Sequence, residues 1–147
     1  MKSILTVLFM LVMGSLPAWA ALGGDLSSVN SDVQALGGQH NMVAKVGYNL
    51  HQITKPDGSV VNEFVSPAGV VFGISWQGHS MPNLSQVLGS HLADLQQGQR
   101  THVVPRRAVT IQGDDFVFSS VGHGRSFRGR AYVPSLVPAN LKAEVVQ

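Results

Sequence analysis

The chain contains no cysteine. Disulfides, thiol nucleophiles, Cys-ligated zinc and iron–sulfur clusters are therefore excluded, and the core must hold itself by packing alone. A bacterial lipid anchor, which requires a cysteine at its cleavage site, is excluded too. Charge is also scarce, with Asp, Glu, Lys and Arg together at 12% and a net charge of +2. There is no aromatic-interleaved basic run of the kind that binds nucleic acid, and no cationic amphipathic helix suited to a membrane surface. No apolar stretch reaches the roughly 20 residues a membrane-spanning helix needs.

The longest almost unbroken apolar run is Ile4–Met13, preceded by Lys2, ended by Gly14 and Pro17, and closed by Ala18-Trp19-Ala20. A charged start, a short apolar stretch and an A-x-A ending form a secretory signal, with cleavage expected between Ala20 and Ala21. Residues 1–20 are thus expected to leave, and residues 21–147 to form a single β-rich domain in the periplasm or outside the cell, without a stable membrane anchor. The 16 glycines point to a turn-rich globular chain.

Charge is unevenly placed. Every arginine lies between Arg100 and Arg130, whereas Asp25, Asp32, Asp57, Glu63 and Asp94 outnumber the lysines of residues 21–95. An excess of this kind marks an anionic partner for the C-terminal half, or simply charges the edges of exposed strands against pairing. Both readings stand.

Residues 27–36 carry a Ser cap, an early Asp and a following Gly37-Gly38, which predict a short helix. Tyr48–Thr54 and Ser59–Val65 are β-type runs around Lys55-Pro56-Asp57-Gly58, a turn in which Pro presets φ and Gly accepts a positive one. Val70–Trp76 continues a β-meander, with Val70, Phe72, Ile74 and Trp76 expected on one face. From Leu84 the period becomes helical: Leu84, Val87, Leu88, His91, Leu92 and Leu95 form one stripe. Asn83 is the expected N-cap, Gln86 the capping-box partner and Gly98 the terminator of a single long helix. Ala108–Gln112, Phe116–Val121 and Ser126–Val133 read as further strands, and a loose tail is expected from about residue 135. The fold class is α+β: an antiparallel meander sheet of about five or six strands with one main amphipathic helix packed on it.

No motif carries catalytic chemistry. Gly73-Ile74-Ser75-Trp76-Gln77-Gly78 resembles a nucleophile elbow but is one residue too long and lacks the strand–turn–helix setting. The 6 histidines show none of the spacings that place two imidazoles on one metal, so neither a metal nor a cofactor is expected. Trp76 belongs with the core. The distinctive segment is Gly122–Tyr132. In an extended strand Arg128, Arg130 and Tyr132 share a side, and two guanidiniums suit a carboxylate, phosphate or sulfated sugar. His123 and Arg125 flank them at the preceding turn. The same pattern also describes the wet face of an edge strand.

The runs Tyr48–Gln52 and Glu63–Gly78, with Pro82-Asn83-Leu84, Leu88-Gly89, Gly122-His123 and Gly129-Arg130-Ala131 before Pro134, resemble the bacterial proteins grouped as domain of unknown function 2844. The resemblance covers nearly all of residues 21–147, with Asn83 where Asp is expected and His79 where Pro is common. It implies a signal-bearing bacterial protein and brings no catalytic residues with it. The expectation is a non-enzymatic binding or accessory protein whose partner is another envelope protein or an anionic glycan. The alternatives are a small hydrolase using His123 or His51 with a carboxylate, and a structural part of an envelope assembly.

Overall fold

The structure, a computed structural model, describes residues 22–101 and 108–147. The expected signal and its cleavage residues Ala18, Ala20 and Ala21 lie outside these, as do His102, Arg106 and Arg107.

The architecture is α+β. Helix α1 (Leu26–Leu36) is followed by β1 (Gln39–Lys45), β2 (Tyr48–Thr54), β3 (Val60–Val65) and β4 (Val71–Gly78). Helices α2 (Leu84–Leu88) and α3 (Leu92–Thr101) precede β5 (Ala108–Gln112), β6 (Val117–His123) and β7 (Ser126–Tyr132). The strands form one antiparallel sheet of 7 strands in the order β1-β2-β3-β4-β7-β6-β5. The chain crosses the sheet by way of α2 and α3 after β4, then returns strand by strand until β7 closes on β4. No helix among the described residues is long and apolar enough to cross a membrane.

Local chemistry explains much of this. Asp25, rather than a serine, caps α1 by accepting from the Ser28 amide, and Gly37 ends it at φ 61°. The β2–β3 turn forms as its residues dictate: Gly58 sits at φ 78°, the Lys55 amide donates to the Ser59 carbonyl at 2.8 Å, and the Ser59 amide donates to Asp57 Oδ1 at 2.9 Å.

Several expectations need correction. The sheet has a seventh strand, β1, whose residues are exposed throughout and so carry no burial alternation to read. The single long helix is broken, because Gly89 adopts φ 53° and ψ −123°, and a 3-10 turn at Gly89–His91 separates α2 from α3. Asn83 caps α2 as expected, but Gln86 turns away from the cap to donate to Asp32 Oδ1 at 2.7 Å, and α3 runs past Gly98 to Thr101. Last, the face assignment of β4 fails at a β-bulge: Phe64 pairs with Gly73 but Val65 pairs with Val71, leaving Phe72 as the extra residue. Ile74 and Trp76 therefore face the helices while Phe72 faces the other way.

Both faces of the sheet are covered in part. Under the helices, Val29, Val61, Val65, Ile74, Trp76, Leu88, Leu95, Phe118 and Ala131 form the main core. On the opposite face Phe64, Phe72 and Val146 are buried with Tyr48, Leu50, Tyr132, Leu141 and Val145 around them. The C-terminal residues are thus a packed strap, not a loose tail: apolar side chains at 141, 145 and 146 give them a surface to adhere to. Val146 is fully buried, and it seats over Gly73, where a Cβ would stand 2.5 Å from Val146 Cγ2.

Candidate functional site: an arginine groove on the second face

The strap covers the apolar end of the second face and leaves the polar end open. The register there is set by pairing. Ser75 of β4 lies opposite Arg130 of β7, which lies opposite Ser119 of β6; Gln77, Arg128 and Val121 form the next row. Cross-strand partners share a face, so serine, glutamine and arginine side chains line one groove of about 510 Å³ together with Asn62 and Gln147.

Hydrogen bonds organise its floor. Gln52 Nε2 donates to Asn62 Oδ1 at 3.2 Å, and Asn62 Nδ2 donates to Ser75 Oγ at 3.2 Å. Ser75 Oγ then donates to the Gln147 carbonyl at 2.8 Å. Arg130 Nη1 donates to the Val146 carbonyl at 3.1 Å, and its guanidinium carbon stands 6.0 Å from the Tyr132 ring centroid. Ion pairs among the described residues join Lys55 to Asp57 and His91 to Asp94, so neither Arg128 nor Arg130 has a carboxylate partner there. Arg128 is exposed and Arg130 half-buried. Two guanidiniums beside neutral amides and hydroxyls can hold a planar anion bearing further hydrogen-bonding groups.

Of the sequence-predicted site residues, Arg128 and Arg130 line the groove, and Tyr132 supports Arg130 from the apolar side while packing in the second core. His123 pairs with Ser126 at the hairpin tip. Arg125 lies in the turn, where its carbonyl is 3.2 Å from His79 Nδ1. Both are exposed and outside the groove lining. Sequence reasoning did not assign Asn62, Ser75, Gln77 or Ser119 to a site. Their signal was the polar half of each strand's alternation, and joining the halves required the strand order.

A second cluster lies under α1. His51 and Glu63 are cross-strand partners, and His40 Nε2 is 3.0 Å from His51 Nδ1 with the rings stacked. Glu63 and Asp32 are each 1% exposed. Burial, then the hydrogen bond and charge of Asp32, push the Glu63 carboxyl up to about 10. Burial likewise raises Asp32, against hydrogen bonds from Glu63 and Gln86. Asp32 Oδ2 and both Glu63 oxygens meet no ordinary donor; a proton held by Glu63 and offered to Asp32 supplies one. Burial and the neighbouring His40 lower His51. None of these side chains lines the groove.

Smaller clefts of about 470 and 380 Å³ flank His91, which is 2.8 Å from Asp94 and stacks on Phe116. Ser135 fixes Asp115 through its amide at 2.8 Å and its hydroxyl at 2.5 Å, and these bonds lower the Asp115 carboxyl. Among the described residues no group of His, Asp and Glu is placed to hold a metal ion.

A family model described as "Protein of unknown function (DUF2844)" matches residues 18–146. No curated protein and no solved structure matches the chain.

Proposed function

We propose that this chain, which belongs to the DUF2844 family, is an exported, non-enzymatic binding protein of the bacterial envelope or its surroundings. Its ligand is an anionic glycan, taken through carboxylates by Arg128 and Arg130 and through hydroxyls by Gln77, Ser119 and Asn62. The observation that carries this reading is the pair of carboxylate-free guanidiniums in one groove with neutral hydrogen-bonding side chains. Arg–carboxylate contacts are charge-assisted and about twice as strong as neutral ones, whereas amides and hydroxyls suit a sugar's own.

The address rests on residues 1–20, and protein purified from its own host is expected to begin at Ala21. Titrated with an oligogalacturonate by calorimetry, that protein should bind more weakly as salt rises, since surface charge is screened within roughly 10 Å at 0.1 M. Arg128→Ala/Arg130→Ala should reduce affinity by about a hundredfold or more, two charge-assisted contacts being removed. Unchanged binding by the double variant would remove the groove from the account. Recovery of a protein, rather than a glycan, as the bound species from an envelope extract would replace the ligand class.

A further inference from the structure

The occupied end of the groove carries a second conclusion, which rests on the reading of the groove as an anion site. We infer that Ser75 and Arg130 form a carboxylate subsite that the chain fills with its own Val146 and Gln147 main-chain oxygens, so that this part of the strap competes with the ligand.

The donors converge by construction. Asn62 Oδ1 is taken by Gln52, which turns the Asn62 amide nitrogen toward Ser75 Oγ. With that amide donating to it, the Ser75 hydroxyl is left to donate onward, and it meets the Gln147 carbonyl. Arg130 Nη1 meets the carbonyl of the preceding residue, Val146. Two donors on paired strands, Ser75 directly opposite Arg130, thus hold two oxygens of one short segment. A ligand carboxylate also presents two oxygens, and brings a full charge to Arg130 where the Val146 peptide carbonyl brings a partial one. Arg favours the charged acceptor. Arg128, in the adjoining row, is open to receive the incoming anion before the strap yields.

Opening the subsite requires only residues 146 and 147 to move, at the cost of unburying Val146. Leu141 and Val145 pack on the second core independently of the groove, and Gly47 gives the strap room beside Asn140 and Leu141. Residues 146 and 147 are held by the bonds from Ser75 and Arg130, by the Val146 amide donating to the Ala143 carbonyl at 3.1 Å, and by the seat of Val146 over Gly73. Local opening of so short a segment leaves the rest in place. Gly73 does not adopt a positive φ, so a methyl there acts on Val146 rather than on the backbone.

Gly73→Ala and, separately, Val146→Ser should lift residues 146 and 147 without touching Ser75, Arg128 or Arg130. A site blocked most of the time binds with an apparent affinity reduced by its open fraction, so both variants should bind oligogalacturonate at least about tenfold more tightly than the parent chain. A nitroxide on Gln147→Cys, the sole thiol of the chain, should be immobile in free protein and become mobile over the concentrations at which the ligand binds. Far-ultraviolet circular dichroism of each variant verifies that it is folded. Binding that depends on Arg128 and Arg130 but leaves the nitroxide immobile and gains nothing from either variant would overturn the strap's role while the groove reading stands. No binding by the parent chain or by either released variant would overturn both.

Discussion

Glu63 places an ionisable group where its strand neighbours Val61 and Val65 are core, and its partner Asp32 reaches it from α1. Two fully buried carboxylates cannot both be charged cheaply, and burial raises both groups. The consequence for stability is opposite to that of a surface acid. Asp25 and Asp115, depressed by hydrogen bonds from Ser27 and Ser135, favour folding above the ordinary carboxylate range and lose that contribution in acid. Glu63 instead keeps its proton in the fold up to about 10, while the unfolded chain releases it near ~4.3. Folding is therefore progressively penalised as pH rises between those values. His51, lowered by burial, works in the other direction, but only below its ordinary value near ~6.5. The window from about pH 7 to 9 lies above the His51 range and reports on the Glu63–Asp32 pair. Glu63→Gln retains a donor for Asp32 without a releasable proton. Its melting temperature should fall less steeply than the parent's across that window, and parallel slopes would show that the pair does not titrate as described.

At the scale of elements, the helical stripe from Leu84 to Leu95 and the break at Gly89 make opposing predictions. Helix propensity alone says that Gly89→Ala gains about 1 kcal/mol. The backbone at φ 53° and ψ −123° belongs to glycine, so alanine should instead cost about 1–3 kcal/mol. Urea unfolding decides the sign; a stabilised variant would mean that one continuous helix is the better description. This is also where the sequence was legible and where it was not. Pro56-Asp57-Gly58 declared its hairpin because the turn is specified by residues within it. Arg128 and Arg130 share a face because side-chain alternation is a property of one strand. Gln86, in contrast, satisfied a local capping pattern, yet found a buried carboxylate 54 positions away. Strand β1 lacks alternation because it is an exposed edge, and the bulge at Phe72 reverses an alternation that no local signal contradicts. Asn62, Ser75 and Ser119 joined the groove only once β7 had returned to β4. Information of that kind lies in pairing, not in any one segment.

For the molecule as a whole, the second face of the sheet is divided between apolar Tyr48, Leu50, Phe64 and Phe72 at one end and polar Asn62, Ser75, Gln77 and the arginines at the other. The strap follows that division, burying Val146 completely and stopping where the polar rows begin. Covering one end makes the other a groove, so the same residues contribute to stability and shape the site. A fully buried valine is worth about 1.5–3 kcal/mol. Removing residues 141–147 takes away Leu141, Val145 and Val146 and exposes Phe64 and Phe72, at a cost on the order of 4–6 kcal/mol. Against a total of about 5–15 kcal/mol for a typical domain, that should lower the melting temperature by roughly 10 °C or more. Gly73→Ala, which displaces only the last two residues, should cost a fraction of this. A truncated chain that melts with the parent would show that the strap lies on the sheet without supporting it. The second core would then be decoration, and the groove's apolar wall would need another origin. A large loss on truncation beside a small one for Gly73→Ala is the pattern required of a strap that is fixed along its length and released at its tip.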